Sequence, residues 1–210
     1  MQKRLVRKRN LEIQLSKVEP HPSPKAYLEQ YTIPTDVAAE ILYLAAYTFD
    51  DIIDKTVADL GCGTGRLAIG AALMGASEVV AIDIDKIAVQ TAKRNAEKLN
   101  VEDKIRLILG DIEALTGKFD TVLQNPPFGV QRRRADRKFL LKALEIGKHI
   151  YSLHKAGSQE FIKRFIEKHE GKVTGIFPFE IWIPHTFPFH TKAKHPVKVE
   201  LYRIEGKYHG

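Results

Sequence analysis

The sequence VADLGCGTG at residues 57–65 joins an apolar run directly to a glycine-rich turn. Such a run is typical of a buried strand, and glycines tolerate positive φ angles and let the backbone approach a ligand closely. A helical pattern follows at residues 67–74, and the first turn of a helix offers free N–H groups to a ligand. The segment therefore predicts a strand, a ligand-binding turn and a helix.

Strand and helix patterns alternate on both sides of this segment. The sequence predicts strands at residues 56–60, 78–82, 105–109, 119–123, 149–153, 172–177 and 197–203. It predicts helices at residues 36–49, 67–74, 86–99, 138–148 and 158–169. Alternation of this kind implies a mostly parallel sheet with helices on both faces. Residues 1–210 are therefore expected to form a single α/β domain with seven strands.

Two stretches stand apart from this alternation. Residues 1–35 predict an N-terminal extension, in which a basic amphipathic helix within residues 3–17 is followed by a loop with three prolines at residues 20–24. Asp36 is placed to cap the next helix. Residues 184–196, rich in proline and histidine, form the longest irregular segment and predict a substrate loop.

The spacing of the glycines in the turn distinguishes two classes of ligand. A dinucleotide fingerprint has the pattern G-x-G-x-x-G, whereas the third glycine here comes one position early. Asp59 precedes the turn, where a negative charge would oppose a pyrophosphate but would suit the cationic methionine end of S-adenosyl-L-methionine (SAM). We therefore predict a SAM site that contains Asp59, Gly61, Cys62, Gly63 and Gly65.

Two further carboxylates follow strands of the predicted sheet. Asp83 ends the second strand, where an acidic group can accept hydrogen bonds from ribose hydroxyls. Asp111 follows the third strand, where it could accept a hydrogen bond from the adenine amino group, with Ile84 and Ile112 flanking the ring. Because the strand ends meet at one edge of the sheet, these residues should converge with the glycine turn. Taken singly, each carboxylate could also be an ordinary loop or helix-capping residue.

The fourth predicted strand leads into the sequence NPPF at residues 125–128. Prolines fix φ and lack an N–H group, so carbonyl oxygens in such a turn are free to accept hydrogen bonds. An adenine N6 amino group is a weak nucleophile, and the Asn125 side chain and the Pro126 carbonyl could accept its two hydrogens. Phe128, after Pro127, could stack on a flipped-out base. The turn therefore predicts transfer to N6 by positioning and electrostatics, without a covalent step.

The composition narrows the classes of partner. A formal net charge of +7 and a pI near 9.4 favour a polyanion such as nucleic acid, although basic charge can also merely maintain solubility. Basic and aromatic residues near the turn and in the irregular segment could form a phosphate-binding rim and the far wall of the pocket, or a solvated face. These candidate substrate residues are Arg132, Arg133, Arg134, Phe187, Phe189, His190 and Lys192.

The single cysteine and the hydropathy of the chain exclude disulfide-bonded, cysteine-metal and membrane-spanning classes of protein. Cys62 is the only cysteine, which excludes an internal disulfide and a cysteine-clustered metal site. Its place in the glycine turn disfavours a cysteine nucleophile of the kind used in C5 pyrimidine methylation. No apolar run reaches the roughly 20 residues of a spanning helix, and the basic start lacks a signal-peptide core. We expect no metal, no membrane association and a cytoplasmic protein.

Several stretches resemble the class I N6-adenine methyltransferases. The motifs LEQY at 28–31, NPPFG at 125–129, YSLHK at 151–155 and FH at 189–190 are similar, with the glycine turn, to those of the archaeal and eukaryotic small-subunit ribosomal RNA adenine-N6 methyltransferases. The resemblance covers nearly the whole chain. It implies a seven-stranded Rossmann-like sheet in the order 3-2-1-4-5-7-6 with an antiparallel last strand.

The resemblance also has implications for the cofactor and for a partner. It implies that Gln30, Tyr31 and Thr32 close over the cofactor, although Thr35 could serve instead of Thr32, and Gln30 alone could be a surface residue. In the eukaryotic relatives a small zinc-binding activator protein pairs with the sheet edge. Residues 105–109 would form that edge here, where Lys104 and Arg106 could instead guard it.

Three alternative functions compete with methylation of RNA. A protein glutamine N5-methyltransferase uses a similar turn, commonly with tyrosine in place of Phe128. A SAM-binding subunit without activity would serve only as an RNA-binding module and would not need the intact turn. A DNA adenine methyltransferase would need a separate target-recognition region, for which this length leaves no room. We therefore predict N6 methylation of an adenine in structured RNA, with small-subunit rRNA as the expected substrate.

Overall fold

The computed structural model describes residues 6–25, 28–30, 32–127, 135–184 and 194–207. Its strands are β1 (Thr56–Leu60), β2 (Glu78–Asp83), β3 (Ile105–Leu109), β4 (Phe119–Gln124), β5 (Gly147–Lys155), β6 (Lys172–Pro184) and β7 (Lys194–Glu205). Its α-helices are α1 (Lys8–Leu15), α2 (Thr35–Tyr43), α3 (Arg66–Leu73), α4 (Lys86–Lys98), α5 (Ala135–Ile146) and α6 (Gln159–Lys168). A π-helical turn at Leu44–Thr48 continues α2, and 3-10 turns at Glu102–Lys104 and Ile112–Ala114 flank β3.

The strands form one sheet in the order β3-β2-β1-β4-β5-β7-β6. β1 pairs in parallel with β2 and β4, and parallel pairing continues to β3 on one side and to β5 on the other. β7 is antiparallel to both β5 and β6. The predicted strand order and the antiparallel last strand are confirmed.

Both faces of the sheet are covered, which explains why β1 is apolar along most of its length. Val57 belongs to the cluster formed with α1, α2 and α3, whereas Ala58 and Leu60 belong to the cluster formed with α5 and α6. Burial on both faces is typical of a parallel strand. Among the described residues, no helix combines the length and the apolar character needed to cross a bilayer.

The N-terminal helix is part of the core rather than an appendage. Leu11 and Leu15 of α1 are fully buried. Gly70 of α3 permits the approach of Leu15 and of Leu42 from α2, since a Cβ atom at this position would overlap Cδ1 of Leu42 and would lie 3.4 Å from Cδ2 of Leu15. The described part of the N-terminal extension therefore completes one face of the molecule.

The helix predicted at residues 36–49 starts one residue earlier, and its α-helical part ends at Tyr43, where the π-helical turn begins. It begins at Thr35, with Pro34 at the N-cap, so the prediction that Asp36 caps the helix is wrong. Proline has a fixed φ suited to a helix start, which moves the start ahead of Asp36. Asp36 lies in the first turn instead, where a carboxylate is favoured by the helix dipole.

The helix predicted at residues 138–148 ends earlier than expected, at Ile146. Gly147 already pairs with Phe119 of β4, and a Cβ atom at Gly147 would lie 2.5 Å from Cγ2 of Val122. Lys148 therefore belongs to β5. The prediction is wrong at this end because strand pairing overrides the helical propensity of the segment.

The strands β6 and β7 extend into the segment predicted to be irregular. Pro184 pairs with Lys194, so only residues 185–193 separate the two strands, and these lie outside the described residues. The prediction of an irregular segment over 184–196 is therefore wrong at both ends. β6 is an edge strand, where proline is tolerated because the ladder needs fewer N–H donors.

A buried charge cluster ties the loop before β1 to the far strands. Asp51 is 3% exposed and accepts hydrogen bonds from the Tyr151 hydroxyl at 2.6 Å and from Nε of Arg203 at 2.9 Å. Arg203 also donates to Thr174 of β6 at 2.7 Å and lies 4.4 Å from the ring centroid of Phe49. Loop residues and three strands are thereby joined through one guanidinium group.

We expect Asp51→Ala to lower the free energy of unfolding by about 2–4 kcal/mol, because it leaves the buried Arg203 without its buried charge partner. Urea denaturation followed by circular dichroism measures the change. Arg164→Ala is the control, since it removes an exposed ion pair with Glu160 on α6 and should leave stability nearly unchanged. Similar losses in the two variants would contradict the role given to the cluster.

Candidate active site

A cavity of about 580 Å³ lies where the carboxyl ends of β1, β2, β3 and β4 meet. This volume is within the usual range for small-molecule sites, and the position is the one at which open α/β sheets bind ligands. Most of the predicted cofactor residues line it. Those residues are Gln30, Thr32, Asp59, Gly61, Cys62, Gly63, Asp83, Ile84, Asp111, Ile112 and Asn125.

The glycine turn is held to the end of β2 by backbone hydrogen bonds. The N–H groups of Gly61 and Cys62 both donate to the carbonyl of Ile82. Gly61 and Gly63 have φ angles of 68° and 55°, in the left-handed region that favours glycine. Gly65, with φ of 87°, is the N-cap of α3 and does not line the cavity. Its predicted contact with the cofactor stays a prediction.

Asp59 is a buried carboxyl group at the floor of the cavity. It is 1% exposed, and its Oδ2 accepts a hydrogen bond from the backbone N–H of Ala68 at 2.9 Å. Burial raises the pKa of Asp59 to about 7, against the opposing effect of this bond. A cation in the cavity would favour the ionised form.

The thiol of Cys62 lies close to the carboxyl groups of Asp59 and Asp83. Burial, reinforced by the charges of Asp59 and Asp83, raises the pKa of the Cys62 thiol far above its usual value. A thiol in this state is a poor nucleophile. That Cys62 does not act as a nucleophile stays a prediction, which its burial favours.

Asp83 joins the glycine turn to the segment after β2. Its Oδ2 accepts from the N–H of Gly63 and its Oδ1 accepts from the N–H of Asp85, both at 2.8 Å. Burial raises the pKa of Asp83, although these two bonds act in the opposite direction. The carboxylate is held in one orientation toward the cavity.

Asp111 is engaged by a lysine that the sequence assigned to the phosphate-binding rim and not to the cofactor site. Lys138 of α5 lies on the cavity wall and donates to Asp111 Oδ2 at 2.9 Å and to Glu113 at 3.1 Å. Burial alone would lower the pKa of Lys138, but the bonds to these two carboxylates raise it. The predicted hydrogen bond from the cofactor adenine to Asp111 would form beside this ion pair.

The N-terminal segment covers one side of the cavity and is held by Asp85. Gln30 donates to Asp85 Oδ2 at 2.9 Å, and Lys25 and His21 approach the same oxygen at 3.2 and 3.3 Å. Despite its burial, the hydrogen bonds from Gln30 and its other partners lower the pKa of Asp85 to about 2. Gln30 is therefore part of the cavity and not a surface residue.

The threonine that faces the cavity is Thr32. Thr35 is the first residue of α2 and does not line the cavity. Of the three residues expected to close over the cofactor, Tyr31 lies outside the described residues. Thr32 and Gln30 are therefore the two members of that group that the structure places on the wall.

The Asn-Pro-Pro turn meets the cavity at the end of β4. Asn125 and Pro127 line the cavity, and Pro126 between them is buried. Phe128 lies outside the described residues, and so do the candidate substrate residues Arg132, Arg133, Arg134, Phe187, Phe189, His190 and Lys192. The structure thus places the turn and the glycine loop on one cavity, while the substrate side stays a prediction.

Other cavity residues could be found only in three dimensions. Phe139 of α5 packs on the glycine turn, since a Cβ atom at Gly61 would lie 2.8 Å from its ring. Arg66 donates to the carbonyls of Ile33 and Val18 at 2.5 and 3.2 Å and so holds the N-terminal segment. No sequence motif marks these contacts, because the partners are distant in the chain.

Comparison with known proteins shows the family of this chain. The model of the ribosomal protein L11 methyltransferase (PrmA) family matches residues 42–126. The rRNA N(6)-adenosine-methyltransferase METTL5 of Danio rerio is 35% identical over 93% of this chain and 97% of its own length. The chain belongs to the rRNA N6-adenosine-methyltransferase family.

Two archaeal relatives are also similar over almost their full length. An uncharacterized protein of Methanocaldococcus jannaschii is 41% identical over 96% of this chain and 95% of its own. A crystal structure from Pyrococcus horikoshii superposes with a TM-score of 0.89 at 42% identity, covering 96% of this chain and 98% of that one. The fold of this methyltransferase is therefore shared along the whole chain.

The cofactor of this methyltransferase is SAM, and the cavity suits it. Asp59 and Asp83 supply acceptors at opposite sides of the glycine turn, and the turn exposes backbone to a ligand. The buried Asp59 is a suitable neighbour for a cationic group, because burial disfavours its ionised form and a nearby positive charge would favour it. The exposed Ile84 and the buried Ile112 offer apolar surface.

We expect Asp59→Asn to remove a pH dependence of stability. The folded-state pKa of Asp59 is about 7 and its unfolded value is about 3.9, so the folded state gains stability as pH falls through 7, until both states are protonated below about 4. Relative to the variant, the wild type should gain about 2–3 kcal/mol between pH 8 and pH 5. Urea unfolding at both pH values measures this difference.

The asparagine side chain keeps an oxygen that can accept a hydrogen bond from the N–H of Ala68, so the variant and the wild type both retain this bond. Asp83 is buried in both proteins, so the part of its pKa shift that burial causes contributes to both profiles. Parallel pH profiles for the wild type and the variant would show that burial does not raise the pKa of Asp59.

Proposed function

We propose that this protein transfers a methyl group from SAM to the N6 amino group of an adenine in structured RNA, and that small-subunit rRNA is the substrate. The observation that carries the proposal is the shared cavity: Asn125 and Pro127 line the same cavity as the glycine turn. A methyl donor on the turn would therefore face the acceptors of the Asn-Pro-Pro sequence. The rRNA methyltransferases that match nearly the whole chain support the same substrate class.

The turn supplies acceptors for an amino group and no acidic or basic catalyst. The side-chain oxygen of Asn125 and the carbonyl of Pro126 each accept one hydrogen of N6, which moves the nitrogen lone pair out of conjugation with the ring. SAM, when bound, would supply its methyl group to that lone pair, with S-adenosylhomocysteine as the leaving group, and N6 would lose one hydrogen as a proton to water. The prolines keep the acceptors in place because they fix φ and lack N–H groups of their own. Positioning and electrostatics thus carry the rate.

On our proposal, different cofactor residues contact different parts of SAM. Asp59 and the glycine turn face the methionine end, Asp83 accepts from the ribose, and Asp111 accepts from the adenine between Ile84 and Ile112. Gln30, Tyr31 and Thr32 close the cavity from the N-terminal side, supported by the bond from Gln30 to Asp85.

The RNA is held by basic and aromatic residues that flank the turn. Arg132, Arg133 and Arg134 lie between the turn and α5 in the chain, and they contact phosphates on our proposal. Phe128 stacks on the flipped base, where stacking contributes about 1–3 kcal/mol. Phe187, Phe189, His190 and Lys192 form the opposite wall. A substrate of this kind implies a cytoplasmic enzyme.

Labelled SAM and ribosomal RNA without its native modifications test the function directly. We expect N6-methyladenosine in the small-subunit RNA after digestion to nucleosides. The match to the ribosomal protein L11 methyltransferase family ends at residue 126, within the Asn-Pro-Pro turn and before Phe128 and the basic residues expected to contact RNA. Unlabelled RNA together with methylglutamine in a protein would establish the glutamine N5-methyltransferase instead.

Asn125→Ala should lower kcat by about 10²–10³-fold while the Kd of SAM changes less than about twofold, because the asparagine acts on the target nitrogen in the transition state. Methyl transfer under saturating SAM and calorimetric titration of SAM measure the two quantities. Asn10→Ala, at an exposed asparagine of α1, is the matched control and should change neither. Loss of SAM binding in parallel with kcat would contradict the role of Asn125.

We also propose that a small zinc-binding activator protein adds a strand to β3. β3 is an edge of the sheet, and Ile108 and Leu109 are 37% and 53% exposed there. Arg106, which could guard the edge, is paired with Glu78 of β2 at 2.5 Å. An apolar edge whose charge is neutralised in this way favours a partner over a guarded edge.

Ile108→Asp should weaken binding of such an activator by at least about tenfold, because a carboxylate replaces apolar surface in the contact. Biolayer interferometry with the purified partner measures the affinity. Phe161→Asp on α6 is the matched control: its side chain is also 37% exposed, but it packs near the opposite edge of the sheet. Equal affinities of wild type and Ile108→Asp would place the activator elsewhere.

A further inference from the structure

Three polar side chains are buried together beneath the Asn-Pro-Pro turn. Gln124 is the last residue of β4 and pairs with Ser152 of β5, and His154 follows two residues later on the same face. Their exposed fractions are 1%, 0% and 4%. Gln124 donates to the Ser152 hydroxyl at 2.8 Å, and that oxygen lies 2.6 Å from Nε2 of His154. The three side chains form one continuous hydrogen-bonded row.

The Ser152 hydroxyl links the other two side chains. It accepts from the Gln124 amide, and it shares one proton with Nε2 of His154, where the imidazole tautomer decides which group donates. Burial lowers the pKa of His154 to about 3, so the imidazole is neutral. The row therefore does not titrate near neutral pH.

A second layer fixes the far end of the row. The Tyr202 ring lies edge-on to the His154 ring at a centroid distance of 5.6 Å. The Tyr202 hydroxyl donates to Glu200 at 2.8 Å, and Gln159 donates to the other oxygen of Glu200 at 2.6 Å. The orientation of His154 is thus set by β7 and by the start of α6.

A polar side chain at position 124 does not make the fold more stable than an apolar one would. Its Oε1 atom is buried and has no hydrogen-bond partner among the described residues. A buried acceptor without a partner is unfavourable, so an apolar side chain of the same length would serve the fold at least as well. Gln124 does not line the cavity, whereas its chain neighbour Asn125 does. Any effect of Gln124 on the reaction must therefore pass through Asn125.

We propose that Gln124, Ser152 and His154 are positioning residues, which fix the end of β4 so that the acceptor oxygens of Asn125 and Pro126 stay aimed at the target amino group. The proposal deepens the proposed function and rests on it. It gives a role to the Tyr-Ser-Leu-His-Lys stretch at 151–155, which carries the family resemblance but does not line the cavity. A displacement of well under 1 Å at Asn125 would be enough to slow transfer.

Gln124→Met tests the row without removing a catalytic group. It keeps the length of the side chain, removes the partnerless acceptor, and leaves Ser152 bonded to His154. We expect kcat for N6-methyladenosine formation to fall by about 10–100-fold, with the KM for RNA and the Kd of SAM within about twofold and with Tm unchanged or higher. A loss of kcat without a loss of stability is not expected from a merely structural residue.

Thr121→Val is the matched control on the same strand. Thr121 is fully buried near the opposite end of β4, and its hydroxyl donates to the backbone carbonyl of Asp51. Its replacement removes a buried hydrogen bond from β4 far from the cavity. We expect Tm to fall and kcat to stay within about twofold of the wild type.

Ser152→Ala provides a second route if Gln124→Met does not fold. It breaks the row at its centre and should lower both Tm and kcat, and the double variant Gln124→Met/Ser152→Ala should have nearly the kcat of the single variants, because both changes disrupt one unit. Multiplicative losses in the double variant would overturn the idea of a single row.

The outcomes separate the two proposals. An active wild type whose kcat survives in both Gln124→Met and Ser152→Ala would overturn the positioning role alone. Absence of N6-methyladenosine with the wild-type protein, in the presence of the candidate activator, would overturn the proposed function and the role that rests on it.

Discussion

The carboxylate of Asp83 holds together the parts from which the site is built. One of its oxygens accepts a hydrogen bond from the N–H of Gly63 and the other accepts from the N–H of Asp85, so the turn after β1 and the segment after β2 share one anchor. The side chain of Asp85 in turn accepts a hydrogen bond from Gln30 of the N-terminal segment. Without this anchor, the glycine turn would be joined to the end of β2 only by the backbone hydrogen bonds to Ile82, and the segment that carries Asp85 would lose its link to the turn.

The buried carboxyl groups at the two ends of the sheet differ in whether a cationic side chain pairs with them. At the end away from the cavity, Asp51 is matched by Arg203 and Tyr151, and the cluster stabilises the fold. At the cavity, Asp59 has no ion-pair partner among the residues that the structure describes, and burial raises its pKa, which is unfavourable for the protein alone. Charge left unmatched in this way is expected at a binding site, where a ligand supplies the missing partner.

The sequence was informative wherever function depends on residues that are adjacent in the chain. The glycine turn, Asp83 and Asn125 could be placed because each directly ends or follows a strand, and strand ends of a parallel sheet converge. Lys138, Phe139 and Arg66 could not be placed, since their contacts with the site depend on how distant segments pack. The end of α5 was missed for the same reason: Gly147 is fixed by the packing of Val122 against it, which no local propensity reports.

Arg66 binds the backbone carbonyls at both ends of the segment from Val18 to Ile33. Both of these residues are buried, so the two ends of the segment meet at one guanidinium group, as the ends of an Ω-loop do. A movement of the described part of this segment away from the cavity would break the hydrogen bond from Gln30 to Asp85 and would leave α1 and α2 packed in the core. Exchange of the spent cofactor for a fresh one would then proceed at the rate of a local loop motion, independently of the stability of the domain.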